Sequence, residues 1–188
     1  MKQKRVKVVL NAPVILAFSA LCLLVTLLGL RNAGLLTKYF ATYKAPLVSP
    51  WTYFRAFSHV LGHSGWGHIA NKICYILLLG PMLEEKYGGR RIVQVILITT
   101  LVASIVNFFF FPGQALMGAS GVVFAFILMT SFTGFRDGEI PITFLLVAAI
   151  YIGQEVINGI TGVDNISQMA HILGGAVGAV AGYRWNRR

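Results

Sequence analysis

Ser120 stands in the run Gly118-Ala119-Ser120-Gly121. Its neighbours have almost no side chain, so a carbonyl can approach the hydroxyl. The run opens an apolar stretch that reads as a helix, with Ser120 about one turn in. A helix N-terminus presents unpaired N–H groups and the positive end of the dipole, which suits a developing oxyanion. His171 lies in a second apolar stretch, again about one turn in. Gly174, Gly178 and Gly182 follow it at four-residue steps, a pattern that lets another helix approach closely. His68 and Asn71 open a third stretch. A serine, an imidazole and further donors at similar depth in three helices are the parts of a nucleophile, a general base and an oxyanion site. Each part alone has a plainer use: small residues pack helices, and a histidine can simply bridge two of them. The combination carries the chemical reading. Phe124, one turn beyond Ser120, is placed for its ring to support the imidazole. No Asp occurs in any apolar stretch, so the arrangement reads as a Ser–His dyad.

The elements that must hold these residues are set by composition. Of 188 residues, 56% are hydrophobic and 12% are charged, about half the ~25% usual in soluble domains. Mean hydropathy is +0.73. One domain of this length cannot bury so much apolar surface in a water-soluble core. Disorder is excluded for the same reason. Two cysteines, Cys22 and Cys74, lie inside apolar runs and read as free, buried thiols rather than a disulfide scaffold. The expected fold class is all-α: a polytopic membrane protein forming a six-helix bundle, one domain over residues 1–188. A span needs ~20 mostly apolar residues. Six runs qualify, at about 13–30, 67–83, 91–111, 117–134, 141–158 and 166–183. The first follows a basic MKQKRVK but ends in no small-residue cleavage site, so it is read as retained.

The net charge is +10, and its basic residues cluster between the apolar runs. This is a topology signal, so no nucleic-acid partner is expected. With six spans both termini share a side. Eleven Lys and Arg fall on that side and four on the other, with Lys72 inside a span. The positive-inside rule then puts both termini in the cytoplasm, and Ser120, His68 and His171 near the outer face. The outer segment 31–66 is long and aromatic. Trp51, Tyr53, Phe54, Phe57 and Trp66 suit the interface, and short amphipathic helices in the outer leaflet are expected there. The segment 112–116, with Pro112 and Gly113, is short enough to act as a lid over Ser120.

His59 and His63 are spaced as i, i+4, but no Glu is close, and the pattern does not make a zinc site. They read as structural donors to loop carbonyls, with no metal and no cofactor. A transporter or channel would carry polar groups through the full depth of the bundle, whereas here the cytoplasmic halves are apolar.

On these residues the chain resembles the rhomboid family of intramembrane serine proteases, over nearly its whole length. The matching elements are Gly118-x-Ser120-Gly121, Ala170-His171-x-x-Gly174, and Phe54-Arg55, which is similar to the family's Trp-Arg element. The spacings from Arg55 to His63 and from His63 to His68 also match. The resemblance implies hydrolysis of peptide bonds in transmembrane protein substrates within the lipid bilayer, and a multi-pass protein of a bacterial cell membrane. It implies Ser120 as nucleophile, His171 as base, and His68 with the Ser120 N–H in the oxyanion hole. Arg55 and His63 would be structural. One position departs from the pattern. The family has Asn four residues after the second histidine, and here Lys72 stands there with Asn71 beside it. Spacing favours Lys72 as the oxyanion donor and residue type favours Asn71. A relative that has lost proteolysis is the other reading that this departure keeps open.

Overall fold

The computed structural model describes residues 9–133, 142–160 and 165–186. Its elements are α1 (Pro13–Arg31), α2 (Ala33–Tyr39), α3 (Pro50–Ser58), α4 (Trp66–Tyr87), α5 (Gly89–Phe110), α6 (Ser120–Thr130), α7 (Ile142–Ile160) and α8 (Asn165–Asn186). A 3-10 turn, His59–Leu61, follows α3. The protein is all-helical; among the described residues the only β pairing is one antiparallel bridge, Thr42 to Leu116.

Five of the expected spans coincide with α1, α4, α5, α7 and α8 to within a few residues. The fourth is shorter than expected. Gly118 takes φ +118, and Ala119 is not helical, so α6 begins only at Ser120. Its other end passes into turns closed by Phe132 N–H to Met129 and Thr133 N–H to Thr130. Eleven residues rise about 16 Å, roughly half of a ~30 Å hydrocarbon layer. By length and apolarity alone, two of the described helices qualify as spans. These are α1 and α5, with mean hydropathies of 2.5 and 2.3. Helix α4 is long enough but carries Lys72, Glu84, Glu85 and Lys86. Lys2, Lys4, Arg5, Lys7, Arg136, Arg187 and Arg188, used for orientation, lie outside the described residues.

Pro13 starts α1 at a position where its missing N–H costs nothing. The next two N–H groups are capped across the molecule: Val14 and Ile15 donate to the Glu84 carboxylate of α4 at 3.1 and 2.9 Å. The start of α1 therefore meets the end of α4, and the two helices run antiparallel. Cys22 is buried in α1, but Cys74 is exposed on α4, contrary to the expectation that both are buried. It lies on the helix flank where Tyr75 and Leu78 are also exposed.

Segment 32–65 is folded, as expected, into short helices. Trp51, Tyr53, Phe54 and Phe57 of α3 remain exposed, as does Trp66. Its polar side turns inward. Arg55 is buried, donates to the Lys38 carbonyl and the Thr52 hydroxyl, and lies 4.4 Å from the Tyr43 ring centroid. Ser58 donates to the Tyr39 carbonyl.

At the centre, α6 packs on α8. A side chain at Gly174 would overlap the carbonyl of Gly121, and one at Gly178 would overlap the carbonyl of Ala125. Gly182 lies against the Phe132 ring. The three glycines at four-residue steps thus form one face, and the two backbones touch along it.

Candidate active site

This glycine face sets the register between Ser120 and His171. Gly121, next to the serine, lies beside Gly174 and beside the carbonyl of Ala170, the residue before the histidine. Phe124 packs on His171, with ring centroids 4.4 Å apart and planes tilted by 41°. Serine and histidine are therefore held on facing sides of one backbone-to-backbone contact. They do not sit at equal positions in their helices. Ser120 is the first residue of α6, His68 the third of α4 and His171 the seventh of α8. The turn at Gly118, which delays α6 to Ser120, is why the serine comes first in its helix.

No side chain caps the start of α6. The first intrahelical bond runs from Val123 N–H to the Ala119 carbonyl. The N–H groups of Ser120, Gly121 and Val122 precede it and are the orphan donors of the helix end. The two preceding N–H groups are already committed. Gly118 donates to the His59 carbonyl at 2.9 Å, and Ala119 donates to His63 Nε2 at 3.2 Å.

Three histidines converge on this turn, His59 and His63 in one neutral form and His68 with its proton on the other nitrogen. His59 Nδ1 donates to the Arg55 carbonyl at 3.2 Å. His63 accepts from Ala119 on Nε2, so its proton is on Nδ1, which donates to the Leu61 carbonyl at 3.1 Å. Burial pushes the pKa of both down to about 4; for His63 the positive charge of His68 adds to this, the Leu61 carbonyl opposes it, and the charge of Lys72 contributes less. Both are neutral at pH 7. His68 is the reverse of His63. Its Nδ1 faces the Ser64 N–H at 3.4 Å and the Ser64 hydroxyl at 3.2 Å. An N–H can only donate, so Nδ1 is the acceptor and Nε2 carries the proton. That Nε2 lies against Gly118, 3.1 Å from where a Cβ would stand. A side chain at position 118 would crowd the imidazole, and φ +118 already favours glycine there.

A cavity of about 380 Å³ opens beside the serine. Its walls are Asn71, Lys72 and Tyr75 of α4, Ser120 and Phe124 of α6, and Val147 and Ile150 of α7. Asn71 and Lys72 both reach it from a continuous helix, so no irregularity in α4 is needed to bring Asn71 there. The segment 112–116, expected to roof the serine, is not part of this wall. It is tied elsewhere: Leu116 pairs with Thr42, and Asn107 donates to the carbonyls of Thr42 and Gln114 at 3.0 and 3.3 Å. Among the described residues no cluster of three metal-ligating side chains occurs. What spacing alone did not disclose is the role of His59 and His63 at the serine turn. Two histidines more than fifty residues upstream of a GxSG run leave only the absence of a nearby carboxylate as a signal.

Residues 50–188 match the Rhomboid domain. The chain belongs to the rhomboid family. Rhomboids are intramembrane serine proteases. Among its relatives, this rhomboid is 25% identical over 174 residues to the rhomboid protease GlpG of Haemophilus influenzae, covering 89% of this chain and 88% of that one. It is 32% identical over 162 residues to rhomboid-related protein 2 of Mus musculus, covering 73% of this chain and 52% of the relative. With RHOMBOID-like protein 4 of Arabidopsis thaliana it shares 30% identity over 128 residues, which is 64% of this chain and 31% of the relative.

Proposed function

We propose that this rhomboid hydrolyses peptide bonds in the transmembrane segments of other proteins by a Ser120–His171 dyad. The observation that carries the reading is the contact of α6 with α8, where Phe124 packs on His171 one helical turn from Ser120. Ser120 Oγ attacks the scissile carbonyl while His171 takes its proton. The oxyanion that forms accepts hydrogen bonds from the orphan N–H of Ser120, from His68 Nε2–H and from the Asn71 amide. The tetrahedral intermediate collapses, His171 gives the proton to the leaving amine, and water then releases the acyl-enzyme by the same steps. His63 and His59 hold the turn before the serine by its two N–H groups, and Arg55 holds the first segment in place. No metal or cofactor takes part.

In this reading residues 1–188 form one six-span domain with α1, α4, α5, α6, α7 and α8 as its spans. Both termini are cytoplasmic and the active site lies toward the outer face. The short α6 is compatible with a membrane position because α4, α5 and α8 surround it. Its start at Ser120 is buried and lines the cavity shared with α4 and α7 rather than facing lipid.

Two measurements test the proposal. A fluorophosphonate probe should label the folded protein at Ser120, and purified protein in detergent should cut a reporter bearing a transmembrane helix. Absence of both in folded protein would refute the protease reading and favour a binding relative.

A further inference from the structure

The cavity beside Ser120 holds one full charge, and the dyad makes no use of it. Lys72 is half-buried in the wall, among Tyr75, Val147 and Ile150. Among the described residues it has no ion pair and no hydrogen-bond partner. Glu84 and Glu85 share its helix but lie twelve or more residues on, about 18 Å along the axis. An ammonium in a largely apolar wall within a membrane protein is costly unless an anion meets it. Retaining one beside a nucleophile calls for a ligand that brings the anion.

We infer that Lys72 binds a carboxylate of the substrate, an Asp or Glu side chain close to the scissile bond, and so sets a preference for acidic residues there. This rests on the protease reading for the identity of the ligand. Three features support it. Lys72 lines the same cavity as Ser120, so a peptide carbonyl at the serine puts neighbouring side chains into that space. Lys72 lies one helical turn beyond His68 on α4, and His68 adjoins Gly118 at the serine turn. A carboxylate one to three residues from the cut is within reach of a lysine's flexible stem. The rest of the wall, apolar apart from Asn71, Ser120 and the Tyr75 hydroxyl, raises the strength of a charge-assisted hydrogen bond. The bonding is non-covalent, and the dyad chemistry is unaltered by it.

The test uses two fluorescent peptides of one transmembrane sequence, differing only as Glu or Gln beside the cut, in neutral detergent. For the wild type the ratio of kcat/KM, Glu over Gln, should be about tenfold, as one charge-assisted hydrogen bond gives. Lys72→Met should bring that ratio to about one, Lys72→Arg should keep most of it, and Lys72→Glu should invert it. The Kd ratio of the same peptides on the Ser120→Ala protein, read by anisotropy, should follow the same order without any cleavage. Cleavage with both ratios near one in the wild type overturns the carboxylate site and leaves the protease reading standing. Binding that discriminates Glu from Gln with no cleavage by wild type does the reverse. The anion could also be a lipid phosphate. In that case the Glu/Gln ratio is one, and phosphatidylglycerol vesicles alter activity only while Lys72 is present; that outcome also overturns the proposal.

Discussion

Ser120 and His171 are useful only together, so their loss should not add. Ser120→Ala and His171→Ala should each abolish cleavage of the reporter while leaving Tm in detergent within a few degrees. The double variant should be no slower than either single one. Residual activity in Ser120→Ala free of contaminating protease would overturn the dyad. The oxyanion donors are separable from it. Losing one such donor typically costs ~2.7–4 kcal/mol, so Asn71→Ala should lower kcat by about 10²–10³-fold. Lys72→Ala should cost less with a neutral peptide. A strong kcat loss in Lys72→Ala with none in Asn71→Ala would exchange their roles. The neutral histidines make a separate prediction. Burial holds His59 and His63 at about 4, below the ordinary value of 6.5. The unfolded chain therefore binds more protons between those values, and stability is present above 6.5 and lost as pH falls toward 4. Tm should fall through that window. His63→Gln should flatten the fall, because an amide has no proton to gain.

Elements carry the site by contact rather than by sequence proximity. The α6–α8 interface is made of backbone, with Gly174 and Gly178 under the carbonyls of Gly121 and Ala125. There is no side chain to yield, so a Cβ must part the helices. Gly178→Val should lower stability by at least the ~1–3 kcal/mol typical of overpacking. It should also abolish fluorophosphonate labelling, although it touches neither Ser120 nor His171. Wild-type labelling in a folded Gly178→Val protein would show that the register does not depend on this face. Gly182, whose nearest neighbours are side-chain atoms of Phe132, should tolerate Ala better, since a side chain can shift where a backbone cannot.

At the scale of the whole molecule, orientation is the open prediction. In a background lacking Cys22 and Cys74, a cysteine at Gly113 should react with a membrane-impermeant reagent on intact cells. A cysteine at Glu85, near the end of α4 that caps α1, should react only after lysis. The opposite pattern would reverse the topology. Both sites are exposed, so a missing reaction reports the membrane rather than burial.

Apolar run length and charge clustering bounded five helices to within a few residues, because a span is a local property of about twenty consecutive side chains. The GxSG and AHxxG runs named the two residues proposed for the dyad, since the small neighbours and the four-residue glycine steps are written locally. The start of α6 could not be read that way. Whether Gly118 continues a helix or turns at φ +118 depends on His59, His63 and His68, about fifty residues upstream, which hold that turn. The same applies to the segment 112–116. Its Pro and Gly mark a turn, but the Thr42 bridge that ties it down is a contact across more than seventy residues. Asn71 and Lys72 are consecutive, and helical geometry puts both within reach of one side. Only the packing of α4, α6 and α7 around one cavity decided that both line it. Local sequence determined which residues were chemically apt and which helices bear them; depth, register and shared cavity came from long-range contacts, because those depend on which helix faces touch.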